Sequence, residues 1–154
     1  MEAVRKFDAE WKKQNAWEFL MRRVCLVLFY SIGSCLMLLP FGSSAWALVS
    51  SVMLFLGAMH FYIAPYMRCV ENGKSVSLYV KLKWMPVSKR EFLAVRRGYL
   101  RKFCVGTGVF LWILQQIGAC LARTWGAENA LFPLAFTAAL YLVGIFDINR
   151  KLFQ

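Results

Sequence analysis

Four stretches of the chain are almost free of charge: residues 24–39, 45–67, 103–122 and 130–146. Their apolar residues run continuously instead of recurring every three or four positions, and each run predicts a helix that crosses a bilayer. The first is the shortest, about 24 Å at 1.5 Å per residue, against a hydrocarbon core of about 30 Å. Phe19, Leu20 and Met21 extend it if Arg22 and Arg23 snorkel to the headgroups. Pro40 to Ser44 predicts a tight turn, which makes the second run the antiparallel neighbour of the first. Pro65 ends or kinks the second run, with Trp46 at one of its interfaces and Phe61, Tyr62 and Tyr66 at the other. Pro133 stands near the start of the fourth run, where proline is tolerated.

The polar segments carry shorter periods. In residues 1–23, Val4, Phe7 and Trp11 share a helical face, opposite Arg5, Asp8, Lys12 and Lys13, as in a helix lying at a membrane interface. Within 68–102, Glu71 to Ser75 reads as a polar turn. A second helix then starts at Ser88, whose side chain caps it while Glu91 reaches back to the Ser88 amide. Phe92, Val95 and Tyr99 form its apolar stripe, and Lys89, Arg90, Arg96, Arg97, Arg101 and Lys102 crowd the rest. The predicted fold is an all-α membrane protein, a single domain over 1–154. It has an N-terminal interfacial helix (1–23), four spans, and a cytoplasmic loop (68–102) with a helix between spans two and three.

Composition agrees: 60% of residues are hydrophobic and the mean hydropathy is +0.51, above the roughly 45–50% of soluble domains. The net charge of +11 would suit nucleic acid, but its distribution does not. Of nineteen Lys and Arg residues, eighteen lie in 1–23, 68–102 and 150–151, all on one side of four spans. That is the positive-inside pattern, and it predicts cytoplasmic termini and a cytoplasmic central loop. The charged N-terminal segment has no cleavage pattern of a signal peptide.

Candidate chemistry is sparse. Cys25, Cys35, Cys69, Cys104 and Cys120 show neither metal-ligand spacing nor a disulfide framework. Gly73-Lys74-Ser75 resembles the end of a phosphate-binding loop. Arg68 stands where that motif needs glycine and no strand is predicted before it, so the motif is rejected. His60, the single histidine, is read as an interfacial hydrogen-bonding group in preference to a proton relay, a metal ligand or a partner of Cys69 in a peptidase dyad. Gln115 and Gln116 in the third span either bond a neighbouring helix or line a substrate path. Gly106, Gly108, Gly118 and Ala119 of the same span offer small surfaces for helix packing. Catalytic sequences such as HExxH or GxSxG do not occur, and the chain is read as a non-enzyme.

The segment Leu82-Lys83-Trp84-Met85-Pro86-Val87-Ser88-Lys89-Arg90-Glu91-Phe92 resembles the coupling loop of ABC-transporter type-2 permeases, with their L-P-V-S-[RK]-[RK]-E-[IFL] pattern. Met85 replaces the usual leucine, and four spans stand where the family typically has six. The resemblance implies a multi-pass subunit of an exporter in a bacterial inner membrane. A separate cytoplasmic ATPase, with ATP and Mg in that partner, would dock on Met85, Pro86, Val87, Ser88, Lys89, Arg90, Glu91 and Phe92. It further implies a second permease chain or a homodimer. The competing reading is a small accessory subunit of a larger membrane complex. A proton-coupled exporter is disfavoured, because the first three spans hold no Asp or Glu.

Overall fold

The computed structural model describes residues 1–38, 45–71, 74–82, 86–122, 126 and 128–153. The turn expected at 40–44, the side chain of Trp46, Met85 and most of the loop at 123–127 lie outside them. The elements in order are α1 (Glu2–Gln14), α2 (Ala16–Leu38), α3 (Ala45–Ile63), a 3₁₀ turn (Ala64–Tyr66), β1 (Arg68–Glu71), β2 (Lys74–Ser77), α4 (Leu78–Lys81), α5 (Lys89–Ala122) and α6 (Glu128–Phe153). α2, α3, α5 and α6 are long and apolar enough to cross a membrane.

Several boundaries differ from the expected ones, each for a local reason. α1 stops at Asn15, whose backbone N–H and side-chain amide both donate to the Trp11 carbonyl at 3.0 Å. A side chain that satisfies the last carbonyls in this way ends a helix. α2 then begins at Ala16 instead of 24 and carries Glu18 and Arg22 as an i,i+4 pair at 2.7 Å. Pro65 does end α3, through the 3₁₀ turn. The loop after it is not all coil. β1 and β2 pair antiparallel, with Cys69 opposite Val76 and Val70 opposite Ser75. The helix expected in that loop is continuous with the third span: α5 is unbroken from Lys89 to Ala122.

Side-chain contacts fix the packing. Gly33 lies against Phe55 and Gly57 against Phe29, so α2 and α3 are antiparallel. Gly108 against Thr137 and Gly144 against Leu100 make α5 and α6 antiparallel too. Tyr30 of α2 joins the two pairs. Its ring meets Phe55 at 5.3 Å and Phe110 at 5.2 Å, and its hydroxyl bonds Thr107. Phe55 continues the contact to Phe136 of α6 at 5.8 Å. Edge-on aromatic pairs of this kind add about 0.5–1.5 kcal/mol each beyond their burial. Outward, Val27, Val109, Leu142 and Phe146 stay exposed, as a bilayer-facing surface requires.

The small residues of the third span divide. Gly108 makes a close contact and Ala119 is buried, but nothing lies near Gly106 or Gly118. A methyl on Gly144 would sit 2.5 Å from a Leu100 methyl and 3.0 Å from the Met59 sulfur, and Leu100 is fully buried. Gly144→Val is therefore expected to cost about 1–3 kcal/mol by overpacking. Gly106→Ala, in open space, should be neutral or stabilise by up to about 1 kcal/mol through helix propensity. Thermal unfolding of both variants in detergent checks the contrast.

Candidate functional site at the basic end

The segments rich in Lys and Arg meet at one end of the bundle. α1 runs parallel to the first turns of α5: the Met1 ammonium lies 2.9 Å from Glu91, and Asp8 reaches Arg96. Lys81 after the hairpin stacks over Trp11 at 5.2 Å. Lys151 of α6 donates to His60 Nδ1 of α3 at 3.0 Å.

The centre of this end is a buried ion pair. Arg96 is fully buried and Asp8 is 3% exposed. The guanidinium forks onto the carboxylate, Nη1 to Oδ2 at 2.5 Å and Nη2 to Oδ1 at 2.8 Å, and the Tyr99 hydroxyl donates to Oδ2 at 3.0 Å. Three rings box the cation: Phe92 at 4.3 Å, Tyr66 at 5.6 Å and Tyr99 at 5.7 Å. Charges can be buried only when paired and hydrogen-bonded in this manner. Two expectations are corrected here. Arg96 belongs to the inner face of α5, not to its charged surface. Asp8 belongs with Val4 on the buried face of α1, which packs on the protein itself. Tyr62 and Tyr66, expected as interface markers, also turn inward, onto Phe103 at 5.2 Å and Tyr99 at 4.7 Å.

The docking residues divide likewise. The capping box forms as expected: the Glu91 amide donates to Ser88 Oγ at 3.2 Å and the Ser88 amide to Glu91 Oε2 at 3.3 Å. Pro86, Ser88, Lys89 and Arg90 are exposed, Val87 and Glu91 partly so. Met85 lies outside the described residues. Phe92 is not on the surface at all. It is fully buried between Arg96 and the ring of Tyr79, 5.5 Å away. The Phe92 side chain is part of the chain's own core.

Gln115 and Gln116 are half-buried on α5. A groove of about 290 Å³ between α5 and α6 is lined by apolar residues, including Val105, Trp112 and Leu134, and by neither glutamine. His60 and Cys69 line one pocket, yet the Cys69 thiol points to the Val76 carbonyl at 3.7 Å and His60 is held by Lys151. No strand precedes the rejected phosphate loop: the 3₁₀ turn and α3 stand before Arg68, and β1 covers the motif's own first positions, Arg68–Glu71. Arg68 still replaces its glycine, and Lys74 and Ser75 lie in β2, not at a helix start. Among the described residues, no three His, Cys, Asp or Glu side chains group as a metal site.

No known family profile, curated protein or solved structure matches this chain.

Proposed function

We propose that this chain is a non-enzymatic transmembrane subunit of an ATP-driven exporter, moved by a separate cytoplasmic ATPase that docks at the start of α5. One observation carries the reading: the capped, basic, exposed segment from Pro86 to Arg90 opens a single unbroken helix that continues into the bundle. At 34 residues α5 is about 51 Å long, well beyond a core of about 30 Å. A push on its projecting end would be carried without a hinge into the contacts with α6. The resemblance of residues 82–92 to permease coupling loops supports an ATPase as the type of partner, and the one-sided basic charge supports a cytoplasmic position for that end. Tyr30, Phe55, Phe110 and Phe136 fill the centre of the bundle, so cargo would pass at an interface with a second copy or a companion permease. Gln115 and Gln116 remain candidates for that interface or for bonding between helices.

Burial of Phe92 favours the accessory role as a second reading, since it takes one of the eight expected docking residues off the surface. Tagged chain purified from its native membrane distinguishes the two. The exporter reading expects vanadate-sensitive ATPase activity to copurify. Lys89→Glu with Arg90→Glu should reduce it roughly tenfold, with the loss greater at low salt. Arg5→Glu with Lys6→Glu, equally exposed on α1, should leave it unchanged. If the wild-type chain carries no such activity, the accessory role replaces the exporter role.

A further inference from the structure

A cavity of about 270 Å³ opens at the basic end, where the last turn of α1 meets α2 and the end of α3. Much of its lining is apolar or aromatic, including Phe19 and Leu26 of α2 and Tyr62 and Tyr66 beyond them. Three cations complete it: Lys12 of α1 with Arg22 and Arg23 of α2. Arg22 is committed to Glu18, through Nε at 2.9 Å and Nη2 at 2.7 Å. Asp8, one turn before Lys12, is held by Arg96 and Tyr99. Among the described residues, neither Lys12 nor Arg23 has a carboxylate in ion-pair contact or a hydrogen-bond partner. The Tyr62 and Tyr66 hydroxyls have no hydrogen bond there either. Three cations less one carboxylate leave two positive charges at the cavity, with two phenol O–H donors unused.

A cation in open water needs no partner, but Arg23 is not in that setting. Its neighbours on the same helix face, at i−3 and i+4, are Leu20 and Val27, both exposed and apolar. α2 is long and apolar enough to cross a membrane from Ala16 to Leu38, so this stripe faces lipid. Side chains on a helix lean toward its N-terminus, here the basic end, and an arginine on a lipid-facing stripe extends that way to the headgroups. The cavity lies on this route, since Arg23 lines it. Its volume is below the roughly 300–1,000 Å³ of most small-molecule sites. A phosphate with the glycerol beside it suits that space, leaving acyl chains outside along Leu20 and Val27. Ammonium and guanidinium donors match phosphate oxygens in charge-assisted hydrogen bonds, and the rings suit the less polar part of a headgroup better than a hydrated anion. We propose that this cavity binds the headgroup of an anionic phospholipid, its phosphate held by Lys12 and Arg23 and its adjacent oxygens by the Tyr62 and Tyr66 hydroxyls.

The full chain, reconstituted in discs of equal phosphatidylglycerol and phosphatidylcholine and released for native mass spectrometry, tests this. Phosphatidylglycerol should be retained in preference to phosphatidylcholine. Lys12→Gln and Arg23→Gln should each weaken that retention about fivefold, the usual effect of one cation at an anionic surface. Lys13→Gln removes the same charge from the next residue of α1, which is exposed and does not line the cavity, and should have little effect. An equal loss in Lys13→Gln would mean diffuse surface attraction and overturn the site. Lys12 is exposed near a helix end, so its variant keeps the test sharp if Arg23→Gln fails to fold. Unchanged retention in folded Lys12→Gln overturns the site. In a parallel arm, millimolar inorganic phosphate is added to the detergent-solubilised chain. If it raises the unfolding temperature in a manner dependent on Lys12 and Arg23, while the two lipids are retained alike, the ligand is soluble phosphate and the lipid assignment fails. Equal retention of the two lipids with no effect of phosphate overturns the proposal outright.

Discussion

Arg96→Met is expected to lower the stability of the basic end by about 3–5 kcal/mol, because it leaves Asp8 buried without its counter-ion. Tyr99 would still donate to the carboxylate, but one neutral hydrogen bond does not replace a forked guanidinium. The cheapest escape is to release α1, which is tied to α5 by this pair and by the exposed contact of the Met1 ammonium with Glu91. The damage should therefore show first as local opening: fast hydrogen exchange over residues 2–14 and tryptic cleavage at Lys12 and Lys13, before the spans melt. Asp8→Leu combined with Arg96→Met should recover most of the loss, since a buried ion pair is often replaced by apolar side chains at little net cost. A double-mutant cycle on unfolding free energies then isolates the coupling between the two residues. If Arg96→Met keeps wild-type exchange and melting, the pair does not hold α1.

The pair was present in the sequence, though in a form that invites misreading. Phe92, Val95 and Tyr99 read as a stripe on α5, and Val4, Phe7 and Trp11 as a stripe on α1. Arg96 completes the first set at i, i+3, i+4, i+7, and Asp8 completes the second in the same way. Each helix thus has one charge inside its apolar face, and the two charges are opposite. Assigning residues to faces by polarity put both on the surface. Spacing places both on the inside.

The four apolar helices were legible for a simple reason: runs of that length and hydropathy have few alternatives to a bilayer. The charged ends of α2 and α5 were not, because charge alone does not stop a helix. Glu18 and Arg22 neutralise each other on α2, and α5 contains no proline and only glycines, each costing about 1 kcal/mol, between Arg90 and Ala122. The turn at Glu71 to Ser75 was legible; that it joins two strands follows from Asn72-Gly73, the dipeptide that most favours a two-residue connection between Arg68–Glu71 and Lys74–Ser77. The pocket that His60 and Cys69 line had no such signal. Arg22, His60, Arg68 and Lys151, all in its lining, follow one another at separations of 38, 8 and 83 residues along the chain, and only the antiparallel packing of α2 on α3, with α6 beside it, brings them together.

Phe92→Ala is expected to cost about 3–5 kcal/mol, the range for removing a fully buried aromatic side chain. Arg96 would lose the nearest ring of its box, 4.3 Å away, and a desolvated cation–π contact contributes up to about 2 kcal/mol of that total. Tyr79 of α4 would lose its ring partner, so the segment after the hairpin should loosen together with α1. Insertion should be normal, because the apolar spans are untouched. A variant whose Phe92 served an ATPase groove would behave otherwise: partner lost, stability unchanged. If Phe92 belongs to the core, partner retention should fall only in proportion to the unfolded fraction. Cooling or added osmolyte should restore it, whereas no such condition restores a missing anchor. Phe92→Leu, which keeps most of the apolar bulk, should lie between wild type and Phe92→Ala in unfolding temperature. The decisive measurement pairs the melting curve of each variant with its copurified ATPase activity at a temperature below both melts. Loss of activity there, with an unshifted melt, would return Phe92 to the partner and require the basic end to open when the complex forms.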